Sequence, residues 1–218
     1  MAKWKDIYVI AAPSGTGKTT LNRRLVKELP DFEVSISLTT RHRRENETHG
    51  VHYWFVDESE FKKRIADGSM LEWAEVHGNL YGTTLDEMDR IRLKKHAAIL
   101  EIDVQGWASV RPLLPKEHSC SVFILPPTMN SLWERLNLRG TDSLSVQEKR
   151  LRSAYEELRS AAFFDHFIVN DDLEKAYAEL KALVQYGKPS SMTHEEGVEH
   201  SQKLLKEFET HSYLRKIS

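Results

Sequence analysis

The sequence predicts an α/β fold built on a mostly parallel central sheet that is flanked by helices. Its apolar segments are short continuous runs of strand type, and segments with the helical period separate them. Continuous apolar runs are typical of parallel strands that are buried on both faces. The chain has 218 residues, of which 40% are hydrophobic and 29% charged. It is therefore large enough for one domain with a real core and small inserted lobes.

Four strands and two helices form this alternation. The strands are expected at residues 7–11, 97–103, 119–125 and 166–169. The first helix is expected from about Lys18 to Leu29. The last helix begins after a capping acid, Asp171 or Asp172. Its apolar stripe consists of Leu173, Ala176, Leu180 and Leu183.

Two stretches interrupt the alternation and are interpreted as lobes inserted into the sheet. One is polar, aromatic and rich in turns, with a helix expected at residues 58–67 before Gly68; the other is helical in pattern and carries arginines. The predicted domain spans residues 1–187. Its parts are a core of residues 1–35, 84–127 and 153–187, a first lobe of residues 36–83, and a second lobe of residues 128–152.

The chain changes character after Gly187. Residues 188–218 are predicted to be a C-terminal extension, a linker followed by a polar segment rich in His and Glu. Four apolar residues in it suit one weakly amphipathic helix: Val198, Leu204, Leu205 and Phe208. A packed helix, a dimer contact and a disordered end all remain open for this extension.

Charge and cysteine content exclude several classes of function. The formal net charge is −2, so the chain has no general attraction to nucleic acid or to an anionic membrane. No run approaches the roughly 18–20 apolar residues that a membrane span needs. The single cysteine, Cys120, lies in an apolar run and is expected to be a buried thiol in a reducing compartment. We therefore expect a cytoplasmic protein.

A glycine-rich segment joins the first strand to the first helix. Residues 12–19 read Ala-Pro-Ser-Gly-Thr-Gly-Lys-Thr, which matches the phosphate-loop pattern except that alanine replaces the first glycine. A turn that merely connects strand to helix is the alternative. The strand before the loop and the helix after it favour a nucleoside triphosphate site. Its expected residues are Ala12, Pro13, Ser14, Gly15, Thr16, Gly17, Lys18, Thr19 and Thr20.

The residue types of this loop suit a bound phosphate chain. Gly15 and Gly17 let backbone N–H groups approach phosphate oxygens without a clashing Cβ atom, and the helix amino terminus adds its dipole. Lys18 is expected to reach the β- and γ-phosphates, and the Thr19 hydroxyl suits a Mg²⁺ ligand. Ala12 is expected to have negative φ, which L-residues allow.

Further motifs follow the loop in a fixed order. They are Ser-Ile-Ser-Leu-Thr-Thr-Arg-His-Arg-Arg at 35–44, Gly-Val-His-Tyr at 50–53, Leu-Glu-Trp at 71–73, Gly-Asn-Leu-Tyr-Gly-Thr at 78–83, Leu-Glu-Ile-Asp-Val-Gln-Gly at 100–106, Ile-Leu-Pro-Pro at 124–127, Arg-Gly-Thr-Asp at 139–142 and Val-Asn-Asp-Asp at 169–172. On these motifs, over about residues 5–186, the chain resembles the guanylate kinases. The resemblance implies a P-loop nucleotide kinase with a GMP-binding lobe and a helical lid. It also implies ATP-dependent phosphorylation of GMP to GDP, with Mg²⁺ as cofactor.

The resemblance assigns a set of residues to GMP. Arg41 and Arg44 match two arginines on the GMP phosphate, and guanidinium groups suit a phosphate dianion. Tyr53 and Tyr81 match tyrosines that donate to the same phosphate. Glu72 matches the acid that accepts from guanine N1–H and the 2-amino group. The full set is Ser37, Arg41, Arg44, Tyr53, Glu72, Tyr81, Thr83, Glu101 and Asp103.

The remaining members of the set have supporting roles. Ser37 and Thr83 match hydroxyls near guanine O6 and the phosphate. Asp103 matches an acid between the guanine site and the Mg²⁺ region, and Glu101 is expected one strand step away on the same face. Adenine lacks the N1–H and the 2-amino group, so AMP would leave Glu72 buried and unpaired. Such sites discriminate by roughly 10⁴ or more.

Each of these residues also has an ordinary structural interpretation. Taken alone, the arginines of residues 41–44 suit a solvated basic loop, Tyr53 suits a strand core, and Glu72 suits an exposed strand acid. The chain also departs from the family at Arg43, where a proline usually stands between the two phosphate arginines. That departure puts the rigidity of the loop in question.

The resemblance assigns arginines of the second lobe to ATP. Arg135, Arg139 and Arg150 match lid arginines, and surface pairing with Glu134 or Glu148 is the alternative, strongest for Arg135. Asn170 resembles an adenine-side contact, with a helix cap as its alternative. The expected ATP-binding set is the loop with Arg135, Arg139 and Asn170. The expected catalytic residues are Lys18, Arg41, Arg139 and Arg150, and the expected metal ligands are Thr19 and Asp103.

Two other functions stay open from the sequence. A catalytically silent guanylate-kinase-like module would bind a protein in the same cleft, but such modules lack the lysine and glycines that are present here. A P-loop kinase for another acceptor would lack Glu72, Tyr81, Thr83 and Asp103. The expected partners are ATP and GMP, with dGMP as a further candidate, and the chain is a monomer or a homodimer.

Overall fold

Strands and helices alternate along the chain as predicted. The computed structural model describes residues 5–76, 78–137 and 144–210, without the side chains of residues 137 and 144–148. The strands are β1 (Ile7–Ala11), β2 (Phe32–Val34), β3 (Leu38–Thr39), β4 (Trp54–Phe55), β5 (Met70–Val76), β6 (Asn79–Thr84), β7 (Ala97–Leu100), β8 (Ser119–Leu125) and β9 (His166–Val169). The helices are α1 (Lys18–Glu28), α2 (Glu58–Ala66), α3 (Leu85–Leu93), α4 (Val104–Val110), α5 (Met129–Asn137), α6 (Leu144–Arg159), α7 (Leu173–Tyr186) and α8 (His194–Thr210), with short 3₁₀ helices at Arg111–Leu113 and Ala161–Phe163.

Five strands form the predicted parallel sheet, in the order β2-β7-β1-β8-β9. The pairs β1–β7, β2–β7 and β8–β9 are parallel. The side chains of β1, β7 and β8 are almost all buried; Val9, Ile99 and Phe123 are 0% exposed. Burial on both faces explains why these strands are continuous apolar runs in the sequence. β2, which has three residues, is not predicted from the sequence pattern.

One strand is shorter than predicted. β7 ends at Leu100, although the apolar run predicts a strand over residues 97–103. Asp103 instead caps α4, because its Oδ1 accepts from the Gly106 N–H at 2.8 Å. The chain has therefore left the strand before Glu101. The expectation that Glu101 and Asp103 lie one strand step apart is wrong.

The first lobe contains a sheet that the sequence pattern does not predict. Its strand order is β4-β3-β6-β5, and β5 runs antiparallel to β6 with Glu72 opposite Thr83. Two of its strands have only two residues, so no period of two develops in the sequence. The helix predicted here is confirmed as α2. Asp57 caps its start, and Gly68, with φ 66°, follows its end.

The chain divides into two compact units. Within the described residues, the first unit consists of residues 10–28 and 120–210, and the second of residues 5–9 and 29–119. Each unit has fully buried aromatic and aliphatic side chains of its own. In the first unit they include Leu21, Phe123 and Leu180. In the second they include Tyr8, Phe61 and Ile99.

The last two helices largely follow the sequence pattern. Asp172 caps α7, and Gly187 ends it with φ 65°. Leu173 belongs to the predicted apolar stripe but is 39% exposed, whereas Tyr177, which is not predicted there, is buried. The helix predicted in the extension is confirmed as α8. The predicted burial of Cys120 is also confirmed, and no helix in the described part of the chain is long and apolar enough to cross a bilayer.

Candidate active site

The phosphate loop borders a cavity of about 290 Å³ in the first unit. Every predicted loop residue from Ala12 to Thr20 lines it except Thr16, which is fully buried. Glu157, from α6, completes the lining, and no motif in the sequence marks it as part of this site. The loop residues are therefore gathered around one space large enough for phosphate groups.

The backbone of the loop explains its two glycines. Gly15 and Gly17 have φ values of 94° and 93°, a region that favours glycine. Thr16 closes the turn between them, since its N–H and its hydroxyl both donate to Pro13 O, at 3.1 and 2.6 Å. α1 then begins at Lys18, and its first N–H groups lack helical partners. Among the described residues only Lys95 has positive φ without being glycine, so Ala12 has the predicted negative φ.

Asn170 holds the loop from the end of β9. Its Nδ2 donates to Thr16 O at 2.6 Å, and its backbone N–H donates to Leu125 O at 2.8 Å. A Cβ atom at Gly17 would come within 2.6 Å of the same Nδ2. Because Asp172 caps α7, the interpretation of Asn170 as the helix cap is wrong. Its predicted contact with adenine stays a prediction.

Two helices of the second lobe stand beside the loop. Leu132 and Leu136 on α5 are buried, and a Cβ atom at Gly15 would lie 3.2 and 3.0 Å from their Cδ atoms. Arg135 lies on the same helix and is half-buried. Its alternative partner Glu134 instead accepts from Asn130 at 2.8 Å.

The other predicted lid residues are placed only in part. Arg150 is half-buried on α6, the helix that also brings Glu157 to the cavity. Arg139, which is predicted to be catalytic, lies outside the described residues. The side chain of Glu148, an alternative partner for these arginines, also lies outside them.

In the second unit, three predicted acceptor residues lie together. The Arg41 guanidinium carbon is 5.5 Å from the centre of the Tyr53 ring, and the rings of Tyr53 and Tyr81 are 5.9 Å apart. Burial raises the pKa of Tyr53 above its ordinary value of 10.0, and a phenol is a hydrogen-bond donor at neutral pH. A cation and two phenol donors in one place suit a phosphate group.

Glu47 stabilises the loop of residues 41–47, although no sequence motif marks it. Its carboxylate accepts from Arg41 Nη2 at 2.7 Å and from the Arg44 N–H at 2.9 Å. Its carbonyl oxygen accepts from Arg43 Nη1 at 3.0 Å. The Arg41 guanidinium lowers the pKa of Glu47 to about 2. Arg43, which replaces the usual proline, therefore contributes a side-chain bond to the order of the loop.

Glu72 is the least solvated carboxylate among the predicted site residues. It is 6% exposed, and its buried Oε1 has no hydrogen-bond partner within the described part of the chain. Burial raises the pKa of Glu72 to about 7. Hydrogen bonds with Thr83 lower this pKa, and the charge of Asp103 raises it. A carboxylate held in this way gains from any ligand that donates to it. The interpretation of Glu72 as an exposed acid is wrong.

Gly106 makes room for Glu72. A Cβ atom at Gly106 would lie 2.8 Å from Glu72 Oε2 and 3.5 Å from Asp103 Oδ1. Glu72, Thr83 and Asp103 are therefore close together in the second unit, while Ser37 and Glu101 are half-buried on neighbouring segments. An isolated glycine inside a helix often marks such a close approach, so Gly106 is the sequence signal from which this crowding could have been predicted.

Comparisons with known proteins agree with these features. The family model for guanylate kinase matches residues 5–186. The guanylate kinase of Oleidesulfovibrio alaskensis is 48% identical over 176 residues, 81% of this chain and 84% of that protein. The guanylate kinase of Neisseria meningitidis serogroup A is 46% identical over 179 residues, 82% of this chain and 86% of that protein.

A solved structure shares the fold. The crystal structure of guanylate kinase from Anaplasma phagocytophilum has a TM-score of 0.67 and 31% identity, and covers 84% of this chain and 85% of that one. These findings confirm the predicted fold and the predicted class of enzyme, a kinase, and they do not favour a catalytically silent module. The chain belongs to the guanylate kinase family.

Proposed function

We propose that this chain transfers the γ-phosphate of ATP to GMP and forms ADP and GDP. The observation that carries the proposal is a pair of half-sites. The first unit holds a glycine loop with Lys18 at a helix amino terminus, and the second holds Arg41 with two tyrosines and a buried acid. The first half-site suits a triphosphate and the second a purine monophosphate.

The triphosphate half has the parts that phosphoryl transfer needs. Backbone N–H groups of the loop would hold the β-phosphate, and Lys18 would neutralise charge on the transferring group. Leu132 and Leu136 pack at Gly15 and make that side of the loop apolar. Arg139 and Arg150 are the predicted arginines for the transition state, and Arg135 is a further ATP contact.

The acceptor half would aim the nucleophile. Arg41 and Arg44 would bind the phosphate of GMP, with the Tyr53 and Tyr81 hydroxyls as donors. The attacking phosphate oxygen is already ionised near neutral pH, so we assign no general base. Positioning and charge stabilisation supply the rate.

Guanine recognition would depend on Glu72. Guanine offers N1–H and a 2-amino group, which are two donors for a carboxylate whose Oε1 is buried without a partner among the described residues. Adenine offers neither donor, so AMP would leave the buried charge unpaired. Thr83 and Asp103 lie beside this acid, and Ser37 and Glu101 complete the predicted GMP set.

The residues fit a magnesium ion that comes with ATP. No group of three potential metal-binding His, Cys, Asp or Glu residues occurs in the described ranges. Mg²⁺ binds mainly through substrate phosphates and few protein groups. Thr19 lines the cavity and its hydroxyl would hold the ion; Asp103 is the second predicted ligand. When bound, the ion neutralises charge on the β- and γ-phosphates.

Three further features belong to the proposal. We expect the enzyme to work in the cytoplasm on free nucleotides, with no nucleic-acid or membrane partner. We expect it to be a monomer or a homodimer. We also expect dGMP to be a candidate acceptor, because none of the proposed contacts involves the 2′-hydroxyl group.

A coupled assay tests the proposal. Purified protein with ATP and Mg²⁺ is given GMP, AMP or UMP, and the formation of ADP is measured. We expect turnover with GMP that exceeds turnover with AMP by roughly 10⁴ in kcat/KM. Rapid turnover of AMP or UMP with none of GMP would contradict the guanine assignment.

A further inference from the structure

Helix α8 lies beyond the part of the chain that matches the family model, which ends at residue 186. It is nevertheless packed into the first unit. Ser201 and Leu204 are buried, and Gly197 lies so close to Phe167 that a Cβ atom would come within 2.1 Å of the ring. α8 is therefore an integral part of this unit, with a tight contact to β9.

α8 holds the start of α5. Glu207 Oε2 accepts from the Met129 N–H, the first helical amide of α5, at 3.0 Å. His200 Nε2 lies 3.0 Å from Pro126 O, just before the same helix. A helix amino terminus carries unsatisfied N–H groups and partial positive charge, so a carboxylate there stabilises both the helix and its position.

α8 also holds α6. The Tyr155 hydroxyl donates to Glu209 Oε1 at 2.9 Å, and the Tyr155 ring lies 4.5 Å from the ring of Phe208. Glu157, which lines the phosphate cavity, is two residues further along α6. One helix thus contacts both α5 and α6.

These two helices form walls of the triphosphate half-site. α5 brings Leu132 and Leu136 against Gly15 of the phosphate loop, and α6 brings Glu157 to the cavity. A shift of either helix would change the space in which phosphate groups bind.

We propose that α8 sets the position of the walls of the ATP site, and that Glu207 and His200 are its positioning residues. The inference rests on the proposed function, in which this cavity binds the triphosphate. It assigns the extension a role in nucleotide affinity, because a capped and anchored α5 keeps the loop ready for the ligand. GMP, whose predicted residues lie in the second unit, should not be affected.

The test compares Glu207→Ala, Glu207→Gln and a control, Glu199→Ala, on the same helix. Calorimetry measures the Kd of the full-length protein for ADP with Mg²⁺ and, separately, for GMP. We expect Glu207→Ala to raise the Kd for ADP about threefold to tenfold. The change is of the size of a lost helix cap, because ADP binding would then have to restore the position of α5. Glu207→Gln keeps an acceptor oxygen and should restore most of the affinity. The Kd for GMP should stay unchanged.

A second variant, His200→Ala, removes the contact with Pro126 and should also raise the Kd for ADP. The inference is overturned if both variants lower the melting temperature but bind ADP as the wild type does. It is equally overturned if the Kd for GMP rises as much as the Kd for ADP, because that pattern indicates a general loss of folded structure. A wild type that binds ADP but does not phosphorylate GMP contradicts only the proposed function.

Discussion

Arg41 and Glu47 form an ion pair with 2.7 Å between Nη2 and Oε1, and their side chains are only 17% and 12% exposed. The same carboxylate accepts from the Arg44 N–H. One acid thus fixes both residues that are predicted to bind the GMP phosphate. In a loop without the usual proline, this carboxylate and the side chain of Arg43 supply the order.

Removal of Glu47 should weaken the binding of GMP. Glu47→Ala frees the Arg41 guanidinium but also releases the Arg44 backbone, and we expect the loss of order to dominate. The KM for GMP should rise about tenfold with a smaller change in kcat, because a tenfold change corresponds to about the free energy of one charged hydrogen bond. Steady-state kinetics at saturating ATP measures it, with Glu45→Ala at the exposed neighbour as control. A lower KM for GMP would show that Glu47 competes with the phosphate.

Gly106→Ala should displace Glu72. The new Cβ atom would meet Glu72 Oε2 at 2.8 Å and Ile102 Cβ at 3.2 Å, so the carboxylate has to move. We expect the KM for GMP to rise about tenfold or more, with little change in the Kd for ADP, because a misplacement of about 1 Å in a positioning group is costly. Gly68→Ala provides a control, since no atom lies within 4 Å of its Cβ position, although its φ of 66° adds local strain. Normal GMP kinetics in Gly106→Ala would remove Glu72 from the guanine site.

Glu72 should give the unliganded protein a distinctive pH dependence. Its pKa rises from 4.5 to about 7 on folding, so the folded state holds the proton more tightly than the unfolded state. The stabilisation from the protonated form is complete below about pH 4.5 and is lost as the pH rises through about 7. Urea unfolding of wild type and Glu72→Gln should therefore diverge, with the wild type losing stability relative to the variant between these values. A difference that stays constant with pH would contradict the burial of the Glu72 carboxyl group.

Lys18→Ala should separate chemistry from acceptor binding. Lys18 borders the phosphate cavity in the first unit, whereas the predicted GMP residues lie in the second. We expect kcat to fall about a thousandfold or more while the Kd for GMP changes little. Rapid-quench kinetics measures the first quantity and calorimetry the second. Normal turnover would mean that the phosphate loop is wrongly assigned.

Much of this architecture can be predicted from the sequence because burial leaves a simple pattern. Fully buried strands such as β1 and β8 are continuous apolar runs, and the loop after β1 has a glycine pattern with a clear chemical reason. The four-stranded sheet is not predicted from the sequence because β3 and β4 have two residues each. The end of β7 is mispredicted because Ile102 is apolar and buried outside the strand, so hydrophobicity continues where the sheet does not.

The site shows the same division. Arg41, Tyr53 and Glu72 belong to motifs, and all three lie in the second unit. Glu47, Glu157 and Glu207 act through contacts that depend on the folded chain, and a lone acid in a polar segment has no periodicity to mark it. Hydrogen bonds between residues that are distant in sequence, such as the one from the Met129 N–H to the Glu207 carboxylate, are visible only in the structure.

The guanine site is tested by a calorimetric titration of GMP into the wild-type protein and into Glu72→Gln, with ADP and Mg²⁺ binding measured for both as a control. We predict measurable heat of GMP binding to the wild type and a Kd that is weaker by about tenfold or more in the variant. No heat from GMP in a folded wild type that binds ADP normally would contradict the assignment of the second unit as the guanine nucleotide site.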